Sequence, residues 1–175
     1  MSDLSRVRRS RQHLRLVVLI SVLVGVLLVW RSHFRLTLVV GQSMLPTFST
    51  GDLLLVDQQV YRNVEPRRGD IVVARYNEDL IVKRVVGLPG EEVELDKGRL
   101  CINGRPTALG HSIQPGLLSI GRGKLLEQKF ALLGDNRALP LSQVVHAVVA
   151  RDQIVGQVIF SLRLRKPHPI PPTET

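Results

Sequence analysis

"GDLLLVDQQVYRNVEPRRGDIVVARYNEDLIVKRVVGLPG", residues 51–90, holds three short runs of valine, leucine and isoleucine separated by Gly-Asp and Pro-Gly pairs. Branched apolar residues suit a pleated surface, and glycine beside aspartate or proline punctuates one. The segment therefore reads as three strands, "GDLLLVDQQV", "GDIVVARY" and "LIVKRVVGL". The pattern extends both ways. "LTLVV" precedes it and stops at Gly41. Downstream, "EEVELDKGRLCING" reads as a hairpin turning at Asp96-Lys97-Gly98, with Asn103-Gly104 marking the next tight turn. "KFALLGDNR" and "QIVGQVIFSLRL" supply two further strands. The Gly-rich residues 108–128 read as an irregular surface excursion and the Pro-rich residues 166–175 as a fraying tail. The expected class is mainly β: a compact β-rich domain over residues 36–165, preceded by one N-terminal helix.

That helix is the apolar run "LVVLISVLVGVLLVW", Leu16 to Trp30. Fifteen helical residues rise roughly 22 Å, short of a ~30 Å hydrocarbon core. Arg15 and Arg31 can snorkel, so that residues 14–34 span, with Trp30 and Phe34 as interfacial anchors. "WRSHFRLTL" offers no small-x-small cleavage site, and the run is apolar on every side, unlike a buried soluble helix. Five arginines precede the run and only Arg31 and Arg35 follow it closely. The positive-inside rule then leaves residues 1–13 as a cytoplasmic basic arm and the β domain outside the cytoplasm. An Arg-rich, acid-poor N-terminus also resembles an organelle transit sequence.

The net charge of +9 is concentrated in that arm: seven of the 24 basic residues lie within residues 1–35, against Asp3 alone. The rest is nearly balanced and lacks interleaved aromatics, which argues against a nucleic-acid surface. Cys101 is the single cysteine and the five histidines are scattered, so neither an internal disulfide nor a metal site is expected, and no cofactor is implied. Nothing in the sequence sets an oligomeric state.

Two residues carry the candidate chemistry. At a strand period of two, Ile81, Lys83 and Val85 share one face of "LIVKRVVG" and Val82, Arg84 and Val86 the other, which embeds one cation in each apolar face. An ammonium stripped of water loses pKa and, once neutral, can act as a base; arginine stays charged and needs a partner such as aspartate. Taken alone, Lys83 reads first as a lysine that snorkels from a strand edge to water. Ser43, in "GQSMLPT", taken alone reads first as a turn residue. Together they form a nucleophile and a base, an alternative to Ser–His–Asp, whereas His111 and His146 read as structural or surface residues.

"GQSMLPT", "RGDIVVARY", "VKRVVGLPGEEV", "INGRP" and "LLGDNR", in that order, resemble the motif boxes of type I signal peptidases across residues 39–160. The resemblance implies a membrane-bound Ser–Lys endopeptidase, without cofactor, that cuts preproteins after a small-x-small signal-peptide motif at the bacterial cytoplasmic membrane. It makes Ser43 the nucleophile and Lys83 the general base. Backbone amides near Ser43 and Gly41 form the oxyanion site, and Met44 supports the turn. Asp135 of "GDNR" would pair with Arg84, with Asn136 and Arg137 as scaffold. Two departures stand out. Gly41 occupies the place where some relatives carry a hydroxyl. After "GDNR" the chain reads "ALPLSQVV", with Pro140 and Val144 where a lysine-bonding serine and an arginine are usual, and Ser142 as the nearest substitute hydroxyl.

A substrate strand could pair with "LTLVVG" or "LIV", and the apolar surface at Met44 and Phe48 is expected to touch lipid. Other readings are a peptidase dedicated to a few substrates, a self-cleaving Ser–Lys repressor, and a catalytically inactive membrane-anchored β module. The repressor would need a polar N-terminus and an Ala-Gly or Cys-Gly bond, neither of which precedes Ser43.

Overall fold

The computed structural model of the chain describes residues 3–96, 99–107, 120–136, 138 and 146–163. It is mainly β with one N-terminal helix, as expected. Helix α1 runs from Asp3 to His33, taking in nearly all of the basic arm. Residues Arg15–His33 have a mean hydropathy of 2.1 and no part of them is buried by the protein. The last turn is satisfied locally: Ser32 Oγ donates to the Val29 carbonyl at 2.7 Å. It is also tied to the domain, because Gln58 N donates to His33 O and Gln59 Nε2 to Ser32 O, both at 2.8 Å. Strand β1 (Phe34–Leu38) begins at the next residue, two positions earlier than the "LTLVV" reading placed it.

Among the described residues ten further strands follow: β2 (Leu53–Asp57), β3 (Ile71–Tyr76), β4 (Asp79–Gly87), β5 (Glu92–Asp96), β6 (Arg99–Ile102), β7 (Arg105–Pro106), β8 (Ile120–Lys124), β9 (Lys129–Leu133), β10 (His146–Ala150) and β11 (Ile154–Leu162). They form a seven-stranded antiparallel sheet in the order β1-β2-β11-β3-β4-β9-β10 and a four-stranded sheet in the order β7-β6-β5-β8. The central strands are covered on both faces, which is why they read as unbroken apolar runs rather than alternating ones: Val72, Val73 and Ala74 of β3 are fully buried, as is Val85 of β4. One face packs Tyr61, Val72, Val85, Phe130, Leu132 and Val149 together. The other packs Val86, Ala131 and Leu133 against Leu95, Leu100 and Ile102 of the smaller sheet. Gly87 makes that second contact possible. A Cβ there would lie 2.5 Å from Val93 Cγ2 and 2.9 Å from Ala131 Cβ, and the β4–β9 register shifts between Val85 and Gly87.

Register near the site is pinned by the Gly69-Asp70 turn. Asp70 Oδ2 accepts from Tyr61 Oη (2.8 Å) and Arg67 N (2.9 Å), while Val85 N donates to Asp70 O at 2.8 Å. Asn103 and Gly104 both adopt positive φ (50° and 75°), joining Ile102 of β6 to Arg105 of β7 in the predicted tight hairpin. Two strands differ from expectation. β8 lies inside the stretch read as irregular, and β10 was not anticipated. Lys97 and Gly98 of the β5–β6 turn, residues 108–119 of the excursion and the tail 166–175 lie outside the described residues.

Candidate active site

Between β1 and β2 the chain folds into a loop closed at its neck by Val39 N donating to Asp52 O and Gly51 N to Val39 O, both at 2.9 Å. Asp52, itself buried, accepts from Ser49 N at 2.9 Å and holds the loop's second half. Val39, Met44 and Phe48 insert beneath and pack on Leu54. Met44, next to Ser43, is thus the anchor of the turn; burying such a side chain contributes roughly 1.5–3 kcal/mol. Met44 and Phe48 are only 2% and 6% exposed, so the expectation that they touch lipid is wrong: both are spent on fixing the loop.

Lys83 lies in the middle of β4, opposite Val72 of β3, and is 4% exposed. Its Nζ is 2.5 Å from Ser43 Oγ. Loss of water pushes the ammonium down from its ordinary 10.5 to about 8, against the opposing pull of the Asp135 charge. Arg84 clasps Asp135 through both prongs, Nε to Oδ1 at 2.8 Å and Nη2 to Oδ2 at 2.7 Å, and donates from Nη1 to Gly69 O at 2.9 Å. Asp135 is buried, and Thr47 Oγ1 donates to its Oδ2. One carboxylate therefore joins the serine loop to the lysine strand.

The residues flanking Asp135 tighten that link. Asn136 N donates to Ser43 O at 3.0 Å and Asn136 Nδ2 to Gln42 O at 3.1 Å. Gly134 admits the approach, because a Cβ there would stand 2.5 Å from Ser43 O. Holding the Ser43 loop is a role that the sequence does not signal for Thr47, Gly134 or Asn136, the last of which reads there only as scaffold. Their one signal is position, a glycine and an amide bracketing the acid of "GDN" and a hydroxyl in "MLPT". Gly41 has φ +99° with open space where a Cβ would go. A left-handed backbone, rather than crowding, is what suits glycine there. Thr50 Oγ1 donates to the Gly41 carbonyl at 2.8 Å. Among the described residues the amides of Ser43 and Met44 donate to no backbone carbonyl. Also among the described residues, no group of metal-ligating side chains occurs.

A profile of the family described as "Signal peptidase, peptidase S26" matches residues 10–162. The chain belongs to this family. Signal peptidase I of Leptolyngbya laminosa is 36% identical over 129 residues, covering 68% of this chain and 64% of that protein. Signal peptidase I T of Bacillus subtilis is 34% identical over 159 residues, covering 82% and 80%. A probable signal peptidase I-2 of Synechocystis sp. is 30% identical over 125 residues, covering 67% and 57%. The chain thus spans less than two thirds of the length of the Leptolyngbya and Synechocystis proteins. Within this signal peptidase family member, the segment that departs from the expected motif lies outside the described residues apart from Ala138, so Arg137, Pro140, Ser142 and Val144 fall there, as does His111. His146 opens β10 opposite Leu133, partly buried and apart from the Ser43–Lys83 pair in the hydrogen-bond pattern.

Proposed function

We propose that this protein is a membrane-anchored serine endopeptidase that removes signal peptides from preproteins, with Ser43 as nucleophile and Lys83 as general base. The observation that carries the reading is the 2.5 Å contact between Ser43 Oγ and a buried Lys83 Nζ whose pKa falls to about 8. At pH 7 about a tenth of such lysines are neutral, against about one in three thousand at the ordinary value. Neutral Lys83 takes the Ser43 proton as Oγ attacks the scissile carbonyl. The developing oxyanion is met by backbone amides of the turn, Ser43 N first among them. The ammonium then protonates the departing amine, leaving an acyl ester on Ser43. Lys83, neutral again, takes a proton from the water that hydrolyses the ester. Asp135, Arg84 and Thr47 keep the two halves in register, since a misplacement of 1 Å can cost ~100-fold in rate.

The substrate's extended backbone is held by strand pairing. β9 pairs with β4 at Arg84, Val85 and Gly87. Among the described residues the edge of β4 from Leu80 to Lys83 therefore pairs only with β3. That open edge leads directly to the base and suits an added strand. Small residues before the cut would fit between this edge and the Gly41 segment.

Lipid contact is assigned to the outer face of the large sheet rather than to Met44 and Phe48. Leu36, Leu55 and Phe160 form one cross-strand row and Leu38, Leu53 and Leu162 the next. Leu36, Leu38, Phe160 and Leu162 are each about half exposed or more. An apolar patch of that kind marks an interaction surface, and it begins where α1 ends. With α1 spanning the bilayer of a bacterial cytoplasmic membrane, N-terminus inside, the β domain would lie on its outer surface.

The test is cleavage of a preprotein bearing an Ala-x-Ala site by the reconstituted full chain, with the product termini read by mass spectrometry. Wild type cuts after that motif, and Ser43→Ala and Lys83→Ala do not. Equal cutting by all three would sink the assignment.

A further inference from the structure

At the junction of α1 and β1, Trp30, Arg31, Phe34, Arg35, Leu36 and Gln58 line an open cavity of about 470 Å³. Both guanidiniums are exposed, and among the described residues neither forms an ion pair. The nearest acid by register is Asp57, opposite Phe34, but its Oδ1 is occupied by the amides of Gln59 (2.8 Å) and Val60 (3.1 Å). The cavity is held open by fixed parts. The Trp30 and Phe34 rings stand 6.0 Å apart, and Gln58 N and Gln59 Nε2 tie the helix end to the turn after β2.

We propose that this cavity binds the phosphate-bearing headgroup of an anionic membrane lipid, with Arg31 and Arg35 on the phosphate oxygens, Gln58 on neighbouring polar atoms, and Trp30, Phe34 and Leu36 along the upper acyl chain. This rests on the reading that α1 spans a bilayer. Three features point to lipid rather than a free anion. Arg31 sits in the last turn of the apolar helix and Arg35 two residues past its end, which places both at headgroup depth. Half of the lining is apolar or aromatic, which a bare phosphate does not need. Leu36 belongs both to the cavity and to the exposed apolar face formed with Leu55 and Phe160, so a bound lipid's chains continue onto a surface already facing hydrocarbon. The site also accounts for two positive charges on the flank where the positive-inside rule disfavours them. It would fix the height and tilt of the β domain, and hence of Ser43, over the membrane.

The experiment uses the full chain in nanodiscs of equimolar phosphatidylglycerol and phosphatidylcholine, followed by mild detergent extraction and mass spectrometry of retained lipid. Alkaline carbonate resistance of the membrane-bound protein is measured in parallel. Wild type should resist carbonate and retain phosphatidylglycerol preferentially. The Arg31→Gln/Arg35→Gln variant should still resist carbonate but lose that preference by roughly 30-fold, the equivalent of ~1 kcal/mol for each of the two basic groups near a lipid surface. Arg31→Lys/Arg35→Lys should keep most of it, separating charge from packing. Equal retention of both lipids by carbonate-resistant wild type would overturn the headgroup site while leaving the span intact. Extraction of wild type by carbonate would overturn the span and the site with it. Stripping of the retained lipid by excess inorganic phosphate would identify a general anion site and overturn the lipid assignment.

Discussion

A Cβ on residue 134 would lie 2.5 Å from the Ser43 carbonyl oxygen, so the end of β9 and the loop carrying Ser43 meet backbone to backbone. The Asn136 amide then closes on the same carbonyl at 3.0 Å. Gly134→Ala must push the loop away from β4 and lengthen the Ser43–Lys83 contact. The expected result is a fall in kcat/KM of about a hundred-fold, since 1 Å of misplacement has that effect. The loss in unfolding free energy should be modest, about 1–3 kcal/mol. Steady-state kinetics beside thermal unfolding would check this; full activity in a folded Gly134→Ala protein would remove the close approach from the account.

Asp135→Asn keeps the shape and removes the charge. Arg84 is left without its counter-ion in a site where its side chain is 15% exposed, which typically costs about 3–5 kcal/mol. The same charge raises the Lys83 pKa, so its removal should lower that pKa further. In wild type, kcat/KM should rise through an apparent pKa of about 8 as Lys83 becomes neutral. In Asp135→Asn the limb should move to lower pH while the maximum drops. A limb that stays in place or moves up would show that Asp135 does not act on Lys83 electrostatically.

Lys83→Met should stabilise the protein while abolishing activity. The sign follows from linkage. Lys83 drops from 10.5 to about 8 on folding, so between those values the unfolded chain binds more protons and wild-type stability rises with pH. Below about pH 8 the folded state carries the whole penalty of a buried ammonium, about 3 kcal/mol. Methionine fills a similar volume with no charge to bury. Chemical denaturation across pH should show Lys83→Met more stable near neutrality, with the gap closing from about pH 8 upward. A less stable variant at pH 7 would mean the lysine is well solvated.

Much of this arrangement was legible in the chain. β2, β3 and β4 stand where branched residues and Gly-Asp turns placed them: β3 is buried on both faces, while β2 turns Leu54 and Val56 into the core and Leu53 and Leu55 outward. Lys83 drew notice because a cation in an apolar strand is out of pattern. β8 was hidden because "IGRGK" has strand propensity at only one position. It is a strand through its partners, with Ile120 opposite Leu95, Lys124 opposite Glu92, and Arg122 reaching Glu94 at 3.2 Å. The burial of Met44 and Phe48 could not be read from the loop, since the surface that receives them, Leu54 with Ile71 and Val82 alongside, is assembled from three strands. Gly134, Asn136 and Thr47 escaped for the same reason: each acts across 88 to 94 residues of sequence, or on a backbone atom, where no local pattern records the contact.

The most direct test is Lys83→Arg in the reconstituted full chain, with kcat/KM measured on an Ala-x-Ala preprotein. Arginine preserves charge and reach but does not deprotonate. The account predicts a loss of roughly 100- to 10,000-fold, the usual contribution of a positioned base, with the fold intact. Cleavage at the wild-type rate and with the wild-type pH profile would contradict it, because Ser43 would then be activated by some group other than Lys83.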